Sequence, residues 1–195
     1  MAVDTSLVKE LRGKTGAGVL DCKTALEESS GDIEKAVEIL RKKGIDAAES
    51  KAGRKMSEGR IGSYIHFGER LGVLLEMGCE SDFVAKTRDF ETLVKDICMH
   101  IAASNPRFIS REDVPEEVLE KEREVYRAQF ANKPANVIDK IVEGKIVSFY
   151  KEVCLLEQSY VKDQDTCVGD YIKSYVGKLD ENIQVRRFSR FAVGE

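Results

Sequence analysis

The sequence predicts an α+β protein: a three-helix N-terminal module, a polar linker, and a core in which a small antiparallel sheet packs with helices. Three patterns carry that prediction. Apolar residues recur at helical spacing through residues 1–44, period-two alternation begins at Ile61, and the closing stretch Ile183–Val193 is apolar enough to join a sheet.

The elements follow in order. Asp4, Thr5 or Ser6 can cap a first helix carrying Leu7, Val8 and Leu11, which Thr15-Gly16-Ala17-Gly18 breaks. A second helix runs through Leu20, Ala25 and Leu26. Ser29-Ser30-Gly31-Asp32 then turns the chain and caps a third, with Ile33, Ala36, Val37 and Leu40 on one stripe and Gly44 as its expected stop. Residues 45–60 are polar and interrupted by glycine, and they read as a linker. Residues 61–195 read as one core. Ile61, Ser63, Ile65 and Phe67 alternate with Gly62, Tyr64 and His66. Gly68-Glu69-Arg70 turns into a second strand that ends near Cys79. A helix to about Ala103, stopped by Asn105-Pro106, comes next. Further helices are expected at 116–130, 134–143, 145–156 and 167–178.

Composition excludes several classes. At 42% hydrophobic and 34% charged residues the chain has the make-up of a soluble protein, and a formal charge of −4 argues against general nucleic-acid binding, which rests on surplus Lys and Arg. No apolar run approaches the roughly 20 residues of a membrane span, and the N-terminus shows no secretory pattern. Five dispersed cysteines without a C-x-x-C pair suit buried thiols in a reducing compartment, so a cytoplasmic location is expected. The two histidines, His66 and His100, belong to no ligand-spaced cluster, so no metal site is expected.

Motifs for cofactor or catalytic chemistry fail on inspection. Gly13-Lys14-Thr15 imitates the end of a phosphate-binding loop but has Val8 where the first glycine belongs. Gly16-x-Gly18 has Asp21 in place of the third glycine of a dinucleotide fingerprint. His100 lies two residues from Cys98 and therefore on another helix face, which is poor geometry for a Cys-His nucleophile. No catalytic constellation emerges, and no cofactor is expected.

The most informative segment is Ser81-Asp82-Phe83-Val84-Ala85-Lys86, an acid beside an aromatic where a strand gives way to a helix. A side chain held at such a junction can project from two rigid elements, which suits recognition. The competing reading places Phe83 in the core, seven residues before Phe90 on one helical stripe. The pattern E-x-[DS]-[FY]-V occurs at Glu80–Val84 and again at Glu157–Val161, either as a degenerate repeat or by chance.

Three ordered stretches resemble a known family. They are Val8-Lys-Glu-Leu-Arg12 through Thr15-Gly-Ala-Gly18, Asp21-Cys22-Lys23-x-Ala25-Leu26, Gly31-Asp32 and Leu40-Arg41-x-x-Gly44; then Ser81-Asp-Phe-Val-Ala-Lys86; then Phe188-Ser-Arg-Phe-Ala-Val-Gly-Glu195. Together they resemble the elongation factor Ts family. The resemblance implies a nucleotide-exchange factor that binds the GTPase elongation factor Tu. It further implies that residues 1–44 form a ubiquitin-associated-like docking module, with Arg12, Val19, Leu20 and Lys23 at the docking positions. Ser81, Asp82, Phe83 and Val84 match the segment that presses into the GTPase beside its magnesium. Longer members carry two core halves and an insertion that this chain lacks, so the resemblance implies a homodimer. The alternative is a dimeric adaptor that binds without altering nucleotide release.

Overall fold

The computed structural model describes residues 4–195 and shows an α+β chain with eight α-helices and five strands among them. It divides into two compact units, one comprising Met1–Gly62, Leu75–Lys95 and Asp170–Arg186, the other Ser63–Leu74, Asp96–Gly169 and Arg187–Glu195.

The first unit begins with helices α1 (Thr5–Thr15), α2 (Val19–Glu28) and α3 (Ile33–Lys51). Asp4 caps α1 by accepting the Ser6 N–H at 2.9 Å. Gly16 ends it at φ 69°, a left-handed conformation that a side chain disfavours, and its N–H bonds the Arg12 carbonyl. Asp32 caps α3 through the Lys35 N–H. Val8, Leu11, Cys22, Ala25, Leu26 and Ala36 form the shared core of these three helices, with Leu7, Ile33, Val37 and Leu40 around it. The stripe read from the sequence is thus the packing face.

One boundary differs. Gly44 does not stop α3, and residues 45–51 of the expected linker continue the helix. The reason is tertiary. Helix α8 (Val168–Leu179) approaches so closely that a Cβ on Gly177 would lie 3.1 Å from the Gly44 Cα. Gly44 is a contact glycine, which sequence alone cannot tell from a cap. Arg41 pairs with Asp170 at 2.9 Å on the same side, and Lys51 is buried with its ammonium on Asp180.

The strands are β1 (Glu58–Ile65), β2 (Leu71–Cys79) and β5 (Gln184–Ala192), in the order β1-β2-β5. β1 starts three residues earlier than its alternation suggests. β5 runs antiparallel to β2: the Val193 N–H bonds the Arg70 carbonyl, and Arg186 lies against Gly78. Along β2, Val73, Leu75 and Met77 are buried while Leu74 is exposed, the alternation of a sheet covered on one face. The second strand leads into α4 (Asp82–Ala85) and α5 (Arg88–Ser104), where one continuous helix was expected.

In the second unit α6 (Glu116–Gln129) and α7 (Ala135–Val153) pack on each other through Leu119, Val142, Ile146, Phe149 and Val153. The helices expected at 134–143 and 145–156 are therefore one. Gly144 costs that helix about 1 kcal/mol against alanine, which the buried stripe outweighs. A short hairpin of β3 (Ser159–Tyr160) and β4 (Asp163–Cys167) was not anticipated.

His100 in this unit is fully buried and doubly bonded. Its Nδ1 accepts the Val161 N–H at 3.2 Å, so Nε2 carries the proton and donates to the Gln158 Oε1 at 2.9 Å. Burial, the largest influence, lowers its pKa. Both nitrogens are occupied, and burial pushes the Cys98 thiol up to about 11, so the pair has neither a free base nor an accessible thiolate. Cys79 and Cys154 are likewise pushed up to about 11 by burial, and none of the five thiols is in a disulfide.

Gly177→Val is expected to lower stability by about 1–3 kcal/mol through overpacking at Gly44. Gly144→Ala, with no atom within 4 Å of its added methyl, is expected to raise stability by about 0.5–1 kcal/mol. Urea unfolding of both variants distinguishes a contact glycine from an idle one, and equal effects would count against the close α3–α8 crossing.

Candidate functional site

The segment Ser81–Lys86 is shaped by two successive helix starts. Ser81 is extended, at φ −123° and ψ 154°, and its Oγ accepts the Val84 N–H at 3.3 Å to cap α4. One turn later the Thr87 Oγ1 donates to the Val84 carbonyl at 2.8 Å and accepts the Phe90 N–H at 3.2 Å, so a new helix begins. The restart breaks the register between Phe83 and Phe90. Phe90 is fully buried, and Phe83 is 78% exposed. The core reading of Phe83 therefore fails: its aromatic face stands in solvent.

Its neighbours divide the work. Val84 and Ala85 are buried and anchor the turn, which makes Val84 a foot of the segment rather than part of its outer surface. Asp82 is exposed and pairs with Lys86 at 2.6 Å across one helical turn. The hydrogen bond from Lys86 is the main reason its carboxyl titrates below the usual range. Asp82 thus presents a carboxylate at neutral pH, held near its backbone but open to a partner.

The support beneath the turn is a carboxylate that sequence reasoning missed. Glu181 lies in the connection between α8 and β5. Its Oε2 accepts the N–H groups of Glu80 and Ser81, each at 3.0 Å, and its Oε1 accepts the Ser81 hydroxyl. Glu80 answers by accepting the Asn182 N–H at 2.6 Å. These partners stand about a hundred residues apart, and no local pattern announces them.

The N-terminal candidates lie on two helices, Arg12 on α1 and Val19, Leu20 and Lys23 on α2, in the same compact unit as Ser81–Lys86. Val19 and Leu20 are exposed on its first turn, 56% and 75% respectively, and Arg12 and Lys23 are exposed nearby in sequence. Gly18 opens the helix without a side-chain cap. Lys23 lies 3.9 Å from Glu27, a loose pairing that leaves its ammonium available. Two exposed aliphatic side chains with Lys23 one turn on along α2 suit a protein surface that is apolar with an acidic rim.

The echo at Glu157–Val161 does not repeat this geometry. Tyr160 is buried against His100, whereas Phe83 projects. Among the described residues no group of three or more His, Cys, Asp and Glu side chains is set to hold a metal ion. No helix among them is long and apolar enough to cross a membrane.

An exposed aromatic on a fixed turn, without catalytic groups around it, has the character of a protein-contact site, and comparison with known sequences puts the chain among the translation elongation factors. A family model described as elongation factor TS matches residues 20–195. The chain is 58% identical over 195 residues to elongation factor Ts of Caldanaerobacter subterraneus subsp. tengcongensis, covering 99% of this chain and 98% of that protein. It is 58% identical to elongation factor Ts of Thermotoga neapolitana, covering 100% and 99%. It is 57% identical to that of Koribacter versatilis, covering 100% and 90%. The chain belongs to the elongation factor Ts family, translation factors that promote nucleotide exchange on elongation factor Tu.

Phe83→Ala is expected to shift unfolding free energy by no more than about 0.5 kcal/mol, as for an exposed site. Phe90→Ala is expected to lose about 3–5 kcal/mol. Thermal and urea melts of the two variants make the comparison, and a large loss at Phe83 would return it to the core.

Proposed function

We propose that this protein docks on elongation factor Tu through Arg12, Val19, Leu20 and Lys23 of a ubiquitin-associated-like module, and drives GDP release with Phe83. The observation that carries this reading is the exposure of Phe83 on a capped, anchored turn. A large apolar side chain left in water forgoes about 1.5–3 kcal/mol of burial, which becomes available when a partner covers it.

The mechanism needs no bond made or broken by the factor. A tightly held nucleotide depends on magnesium bridging its phosphates and on loops closed around both. Phe83, wedged among those loops, supplies shape and apolar area, while Asp82 accepts hydrogen bonds from donors that the wedge displaces. Ser81 caps the turn and Val84 roots it. The factor binds the open GTPase better than the nucleotide-bound one. Linkage then requires it to weaken nucleotide affinity by the same ratio. Each tenfold corresponds to about 1.4 kcal/mol of differential binding. The protein acts in the cytoplasm on a protein partner, without direct contact to nucleic acid or membrane and without a cofactor.

A homodimer is part of the same reading. In the second unit Ile65, Leu74, Phe191 and Val193 line one shallow depression beside Phe67, which is 98% exposed at the hairpin tip. A sheet face this apolar suits a second copy of itself, since a two-fold axis pairs the same surface on both partners.

Stopped-flow release of a fluorescent GDP analogue from elongation factor Tu is expected to be fast with the wild type and at least about tenfold slower with Phe83→Ala, a loss of about 1.4 kcal/mol. Leu20→Asp, at the exposed start of α2, is expected to raise the concentration needed for half-maximal release. A wild type that leaves release unchanged would sink the exchange reading. Sedimentation equilibrium is expected to give a dimer mass that Phe191→Glu converts to the monomer; a monomer throughout would remove the dimer from the proposal.

A further inference from the structure

The connection Asp180-Glu181-Asn182 sends three consecutive side chains to two places. Asp180 ends α8 in the left-handed region, at φ 59°, with its N–H on the Val176 carbonyl, and its carboxylate meets the buried ammonium of Lys51 at the end of α3. Asn182, only 2% exposed, donates from its Nδ2 to the carbonyls of Ala52 and Arg54, at 3.3 and 2.9 Å. Between them Glu181 turns toward Ser81. A non-glycine residue in the left-handed region is held there by its surroundings, and here it lets one tripeptide grip both the end of α3 and the turn that carries Phe83.

The grip on Ser81 leaves its hydroxyl fully used. The Ser81 proton goes to the Glu181 Oε1 while a lone pair accepts the Val84 N–H, and the two backbone N–H groups entering the turn share the Oε2. Ser81 alone is one short cap on a four-residue helix. With the carboxylate removed, the N–H groups of Glu80 and Ser81 and the Ser81 hydroxyl all lose this acceptor, and only water can replace it.

We propose that Glu181 is the positioning residue of the wedge: its carboxylate fixes the Glu80-Ser81 backbone and the Ser81 hydroxyl, and thereby the direction in which Phe83 projects. The assignment rests on the exchange reading above and deepens it, since Glu181 acts through Phe83. Glutamine preserves the arrangement. Its Oε1 accepts the two N–H groups and its Nε2 donates to the Ser81 Oγ, whose own proton is then free to turn away.

The test is a double-mutant cycle read by GDP release from elongation factor Tu, with amide hydrogen exchange of the free protein beside it. Glu181→Ala is expected to slow release about tenfold, equivalent to about 1.4 kcal/mol, and to speed amide exchange at Glu80 and Ser81. Glu181→Gln is expected to stay near the wild type in both. In a Phe83→Ala background, Glu181→Ala is expected to add no further slowing, a result that general destabilisation would not produce. Wild-type release by Glu181→Ala, or full additivity with Phe83→Ala, would overturn the assignment. Should Glu181→Ala fail to fold, Glu181→Asp, whose carboxylate is one methylene short of the turn, carries the decision in the same cycle: slowed release that Phe83→Ala absorbs upholds the assignment, and wild-type release overturns it. Should Phe83→Ala itself release GDP as fast as the wild type, the wedge role of Phe83 falls instead. The amide protection of Ser81 then decides positioning: loss in Glu181→Ala upholds it, and unchanged protection refutes it.

Discussion

The close crossing of α3 and α8 at Gly44 and Gly177 is the contact on which the arrangement of the first compact unit depends. Without a methyl group on either helix, backbone meets backbone, and the end of α3 is brought to the end of α8. From there the ion pair of Lys51 with Asp180 becomes possible, and so do the hydrogen bonds from Asn182 to the carbonyls of Ala52 and Arg54. The buried ammonium is satisfied by a carboxylate whose other side is solvated, which avoids the full penalty of a doubly buried pair. Small residues at one crossing thus set the positions of several polar groups that follow.

Elements with their own periodicity were legible. The core stripe of the three N-terminal helices, the hairpin of β1 and β2, and the terminal strand came from alternation or helical spacing that local physics imposes. Glycine was the recurrent source of error. Gly44 and Gly144 both read as helix ends, yet one is a contact residue and the other is tolerated inside a helix whose packing outweighs its propensity. At Ser81–Thr87 the opposite happened: apolar spacing suggested one helix, and two hydroxyl caps made two. Side-chain competition for backbone groups is a matter of angles that periodicity does not encode.

The candidate site divides in the same way. The aromatic and acid of Asp82-Phe83 could be singled out from residue type and position, and the helix restart gives a physical reason for Phe83 to point outward. Glu181 could not be found, because it reaches the segment only through tertiary structure. Carboxylates on surface turns are common, and nothing adjacent to Glu181 distinguishes it from Glu195 or Glu69. Val84, grouped with its neighbours by sequence, is separated from them by burial.

The helical continuation through residues 45–51 has a consequence for association kinetics. A module on a flexible tether samples a wide volume, so a second contact made after the first meets its target at a diluted effective concentration. Here the face bearing Val19 and Leu20 and the turn bearing Phe83 belong to one unit joined by helix, ion pair and hydrogen bonds. In the docking proposed above, much of the orientational entropy of the second contact would already be lost in the free protein, and the encounter would behave as a single bidentate event.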